Sequence, residues 1–139
     1  MTMWGVYAVG AAFFAALTAI FAKMGVGNVD SNLATAIRTS FILVLTWGIV
    51  FCTGAARGIR SLDGHTLLFL LLSALATGLS WLCYFKALQL GDVSRVAPVD
   101  KLSVPLAMIL AMLFLHEPVS LKVIVGGLLI TAGSLVLLL

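Results

Sequence analysis

The chain has 139 residues, 63% of them hydrophobic and 9% charged, with a formal net charge of +3. An ordinary soluble domain carries roughly 25% charged residues. One near this size still exposes about a third of its unfolded surface, so the composition excludes a water-soluble globule. The apolar excess needs lipid, where helices and closed barrels alone satisfy the backbone, and long unbroken apolar runs select helices.

A spanning helix needs roughly 20 predominantly apolar residues. Five segments qualify, which predicts one all-α transmembrane domain over 1–139, a five-helix bundle with short loops and no soluble part. The first helix covers 3–22 and is closed by Lys23 and the Gly25-Val26-Gly27-Asn28 turn. No Lys or Arg precedes it and it outlasts a signal h-region, so no cleavable leader is expected. Tyr7, Phe14, Thr18 and Phe21 form a stripe along it, with Phe14 and Thr18 as candidate cavity residues. Ala8, Ala12, Ala16 and Ala11, Ala15, Ala19 offer close-packing faces.

The second helix, 33–53, is entered through the capping residues Asp30-Ser31-Asn32 and carries Arg38 within the span. A loop with Gly54, Arg57, Gly58, Arg60 and Asp63 leads to the third helix, 66–88. There Ser73, Thr77, Trp81 and Tyr84 recur every three or four residues with Ser80 beside them, a candidate substrate face or a packing stripe. Lys86 lies near its end. Cys52 and Cys83, one in each of these helices, read as small buried hydrophobes rather than a disulfide. The fourth helix, 96–115, holds Pro98 in its first turn, where a missing N–H is harmless. It also holds Asp100-Lys101 and an interior Pro105 that should kink it. His116-Glu117-Pro118 stops it, and the fifth helix, 120–138, carries small residues at Gly126, Gly127, Gly133 and Ser134. His65 and His116 fall in the loops.

An ionisable residue in a span costs about 2.5–3.5 kcal/mol on insertion scales. Asp100 is at a depth where it could pair with Arg38 or Lys86, as a structural bridge or as a gate to a cavity. Lys86 and Lys101 have the simpler option of snorkelling to the interface. Five spans put the two termini on opposite sides. Arg57, Arg60, Lys122 and the terminal amine then face Lys23 and Arg95, with Arg38, Lys86 and Lys101 a turn or two inside. This near-balance favours insertion in both orientations, hence an antiparallel pair; the other outcome is one orientation with a cytoplasmic N-terminus.

The run from Lys86 to Pro98, Lys-Ala-Leu-Gln-Leu-Gly-Asp-Val-Ser-Arg-Val-Ala-Pro, resembles the third-to-fourth-helix junction of the drug/metabolite transporter superfamily in its EamA branch. Glu117 matches the acid that ends the family's fourth helix, while His116 stands where a glycine is usual. The opening segment Ala15-Ala16-Leu17-Thr18-Ala19-Ile20-Phe21-Ala22-Lys23 is similar too. The resemblance implies one half of a ten-helix inverted-repeat transporter, working as a dimer with itself or with a homologous half-subunit. The four-helix multidrug relatives use a glutamate in the first helix, and no acid lies between Met3 and Ala22 here.

The expected function is export of small organic metabolites or drugs across the cytoplasmic membrane of a prokaryote by alternating access. A lipid-linked-sugar flippase subunit and a non-transporting scaffold are the alternatives. With no phosphate-binding glycine loop, metal-ligand cluster or nucleophile–His–acid set, neither catalysis nor a cofactor nor a metal is expected. The charges sit at helix ends rather than in a patch, so no nucleic-acid partner is expected either.

Overall fold

A computed structural model describes residues 3–139. It is 87% helical, and no strand occurs among the described residues. The helices are α1 (Met3–Val26), α2 (Ser31–Thr53), α3 (Gly64–Leu90), α4 (Val93–Asp100), α5 (Ser103–Phe114) and α6 (Leu121–Leu138), with a 3-10 turn at Ala55–Ser61 between α2 and α3. Taking α4 and α5 together as Val93–Phe114, five of these are long and apolar enough to cross a membrane. Even the shortest, α6 with 18 residues, reaches about 27 Å at 1.5 Å per residue, close to the hydrocarbon thickness. The fold is all-α with five spans.

Local chemistry sets the ends. The Asp30 carboxylate accepts the Asn32 and Leu33 N–H groups at 2.9 and 3.1 Å and starts α2. Gly54 stops it in the left-handed region at φ 72°, a conformation that suits glycine because no Cβ meets the carbonyl. Asp63 starts α3 by accepting the Thr66 N–H at 3.2 Å. His65 therefore lies in the first turn of α3, where its ring sits 4.7 Å from that of Phe69, and not in a loop. The first helix runs on through Gly25 to Val26, since one glycine weakens a helix without ending it.

The fourth span departs most from the expected one. It begins at Val93, with Asp92 at the N-cap position, so Pro98 is an interior residue and not a first-turn one. It is also divided, because α4 ends at Asp100 and α5 starts at Ser103. Pro105 has no N–H to give the Lys101 carbonyl one turn earlier, and that carbonyl accepts Val104 N–H at 2.9 Å in a tighter turn. Lys101 and Leu102 likewise donate to Pro98 and Val99 at 3.0 Å, three residues back.

The chain divides into two compact units, one formed by Phe21–Gln89 and the other by Met1–Ile20 with Leu90–Leu139. In the first, the buried residues Val26, Ser31, Thr35, Phe85 and Leu88 gather where α1 ends, α2 begins and α3 ends. Farther along, α2 and α3 present apolar side chains outward on all sides, with Phe41 73% and Leu79 66% exposed. Water would penalise such faces heavily; lipid does not.

Candidate functional site

Within Phe21–Gln89, two helix ends complete each other. The last carbonyls of a helix have no partner of their own and attract cations and donors. Lys23 of α1 donates from Nζ to the Leu88 carbonyl at 2.6 Å. Gln89 of α3 donates from Nε2 to the carbonyls of Val26 and Val29 at 3.1 and 2.6 Å. Leu88 and Val26 are almost completely buried at this closure. Gln89 lay outside the sequence expectations; its position one turn after Phe85, at the end of an apolar span, is the signal that marks it.

One to two turns farther into the span, Arg38 meets Trp81. The guanidinium carbon lies 3.6 Å from the centroid of the indole and 5.8 Å from that of Phe85. Trp81 in turn packs edge-on against Tyr84 at 5.5 Å and tilted against Phe85 at 5.7 Å. Two groups of expected residues, the embedded cation and the aromatic stripe, thus come together in one place. Phe85, which was not among the expected residues, belongs with them because it follows Trp81 by four residues and so shares its face.

The remaining candidates of α3 are placed differently. Thr77 donates its hydroxyl along its own helix to the Ser73 carbonyl at 2.8 Å, and Ser73, Thr77, Ser80 and Lys86 are all exposed. Cys52 and Cys83 are free thiols, and both are exposed rather than buried. A small apolar side chain facing lipid or a neighbouring helix gains nothing from burial inside its own chain.

In the other unit, α6 packs against α4 and α5. Ser134 is buried and donates to the Pro98 carbonyl at 2.8 Å, while Arg95 donates from Nε to Leu137 near the end of α6 at 3.1 Å. Of the small residues on α6, Gly127 and Ser134 face this contact, while Gly133 opens outward. An apolar cleft of about 230 Å³ lies between α5 and α6, lined by Pro105, Met108, Met112, Val123, Gly127 and Thr131 among others. Asp100 accepts from the ammonium of its neighbour Lys101 at 3.2 Å, with both side chains partly exposed. The partner that Arg38 meets in its own unit is an aromatic face, not a carboxylate. In α1, Phe14 stands edge-on to Phe13, Thr18 donates to the Phe14 carbonyl at 2.8 Å, and of the six alanines only Ala19 is buried.

Residues 2–139 match the EamA-like transporter family. The chain is 50% identical over 134 residues to a protein of Sinorhizobium sp described as an uncharacterized transporter in the cobO 3' region. That match covers 96% of this chain and 95% of the relative. It is 28% identical over 126 residues to the uncharacterized transporter YvbV of Bacillus subtilis (strain 168), covering 91% of this chain but 41% of that protein. No solved structure matches. Five membrane-crossing helices and a family match from end to end place this multi-pass membrane protein in the EamA-like transporter family.

Proposed function

We propose that the protein exports small organic metabolites or drugs across the cytoplasmic membrane of a prokaryote, as an antiparallel dimer that works by alternating access. The observation that carries this reading is a ratio of lengths. The same stretch of chain accounts for nearly all of one transporter relative and for 41% of another, which suits a working unit containing two such portions. The second portion is another copy of this chain or a homologous half-subunit. An odd number of spans with nearly balanced flanking charge supports an inverted pair, the arrangement from which alternating access follows when one mouth closes as the other opens.

The moving part on this reading is the divided fourth span. The turn at Lys101–Leu102 has lost regular helical hydrogen bonds, so the segment around Asp100 can swing about it at low cost. Substrate rests against the aromatic face of Trp81 and Tyr84. Reconstitution in liposomes with a panel of small organic solutes, with and without a pH gradient, tests the activity: a folded dimer that moves none of them defeats the proposal. A tag placed after Leu139 tests the pairing. Equal accessibility from both sides of the membrane is expected, and access from one side in every molecule rules out the antiparallel homodimer.

A further inference from the structure

We infer that the Arg38–Trp81 pair is the receptor for the anionic group of an organic substrate, a carboxylate or a phosphate, whose apolar remainder lies on the aromatic cluster. The inference deepens the transporter reading and rests on it for the word substrate, though not for binding itself. At 3.6 Å the guanidinium carbon is in van der Waals contact with the ring face. At so short a distance an edge-on guanidinium would drive its nitrogens into the ring, so the flat side of the ion faces the indole and its five N–H donors lie in its own plane. Among the described residues none of these donors meets a protein acceptor; the ring contacts with Trp81 and Phe85 are what Arg38 makes.

A lysine would serve equally well as a mere cation over a ring. The planar fork adds bidentate geometry, which matches the paired oxygens of a carboxylate or phosphate. Stacking also restricts the side chain before the ligand arrives, so less rotamer entropy is lost on binding. Trp81 meets the rings of Tyr84 and Phe85 at 5.5 and 5.7 Å, a preformed surface for an apolar body next to a charged head. The half-buried position of Arg38 keeps water from fully screening the ion while leaving it reachable.

The test uses the full chain in liposomes with Trp4→Phe and Trp47→Phe, so that Trp81 alone reports by fluorescence. Benzoate, phenyl phosphate, benzamide and benzylammonium present one ring with different charges. Saturable quenching by benzoate or phenyl phosphate is expected, whichever binds more tightly identifying the head group. Benzamide should bind roughly tenfold to a hundredfold more weakly, the worth of a charge-assisted hydrogen bond. Arg38→Gln should erase the preference for the anion. Arg38→Lys, which keeps the charge if the glutamine variant fails to fold, should lower it without erasing it. Equal binding of benzoate and benzamide, no saturable response to either anion, or an anion preference that survives Arg38→Gln overturns the inference. Flux of the same solutes separates the two readings. Anion binding without any flux keeps the receptor and removes the transporter. Flux of uncharged solutes alone, unchanged in Arg38→Gln, does the reverse.

Discussion

The two units of the chain are closed by different chemistry. In Phe21–Gln89 long polar side chains reach from one helix to the open end of another: Lys23 to Leu88, and Gln89 to Val26 and Val29. In the unit containing Leu90–Leu139 one long side chain does the same, Arg95 to Leu137, but the helices meet through small residues, with Gly127 near Met108 and Pro105, and Ser134 on the Pro98 carbonyl. Lipid does not drive helices together as water does, so association falls to hydrogen bonds and to close van der Waals fit. Each unit relies chiefly on one of the two. The first should be intolerant of lost donors and the second tolerant of modest changes in shape.

Removing Gln89 is the strongest way to test that contrast. Gln89→Leu keeps an apolar body of similar size but strips the donor from the Val29 carbonyl and leaves the Val26 carbonyl only the long Val29 N–H contact at 3.4 Å. A loss of about 1–3 kcal/mol is expected, the penalty for an acceptor left unpaired. Thermal unfolding in detergent micelles should show the largest fall in midpoint among the changes considered. An unchanged midpoint would mean that the helix ends find other donors, and the contrast between the units would lapse.

The second unit should respond less. Ser134→Ala removes one of two donors to the Pro98 carbonyl, which keeps the Lys101 N–H at 3.0 Å. About 0.5–1 kcal/mol is expected, near the average for hydrogen bonds between membrane helices. Gly127→Ala brings a Cβ within 3.3 Å of the Met108 sulfur. A methionine side chain yields readily, and alanine favours the helix by up to about 1 kcal/mol, so the two effects should nearly cancel. Gly133→Ala, with open space around it, should stabilise the monomer by the propensity alone. Comparing both variants by unfolding in micelles separates the helix term from the contact term.

How far these features were legible in the sequence follows from their range. Five spans, the caps at Asp30 and Gly54 and the transporter family follow from neighbouring residues or from a short junction motif. Trp81 and Arg38 were each marked, one by helical spacing and one by the insertion cost of a charge. Their meeting was not, because it depends on the rotation of α2 against α3, which apolar faces on all sides leave undetermined. Depth alone suggested Asp100 as a partner for Arg38, and depth says nothing about azimuth. The start of α4 was misplaced because Asp92-Val93-Ser94-Arg95 reads as a loop by composition, although Asp92 sets the first turn by accepting backbone N–H groups from Arg95 and Val96 on its carbonyl. Pro98 then fell inside the helix.

At the helix ends the same contrast appears on a smaller scale. His116, after α5, has φ 54°, a left-handed conformation that strains any residue with a Cβ. The family pattern that this junction resembles has glycine as its usual residue there, and a left-handed backbone is the conformation glycine accepts most easily. His116→Gly should therefore raise stability by up to about 1 kcal/mol, offset in part by the greater freedom of glycine in the unfolded chain. An unfolding midpoint lowered by the substitution would show that the imidazole makes a contact worth more than the strain.

Asp63 is the corresponding end in the first unit, and there a side chain does the capping. Hydrogen bonds from Thr66 hold its carboxyl below the usual carboxylate range. A depressed acid stabilises the fold at pH above its unfolded value, and that contribution disappears as pH falls through the folded value. The group is fully exposed, so the effect should be confined to the first turn of α3. In micelles the Thr66 amide proton shift should titrate with a midpoint lower than that of an unstructured aspartate, and Asp63→Asn should flatten it while preserving the cap. A midpoint at or above the ordinary value would mean that solvent competes successfully for this carboxylate. Side-chain capping in the first unit would then rest on Asp30 at the start of α2 and on the buried closure at Lys23 and Gln89, where water is excluded and each donor counts for more.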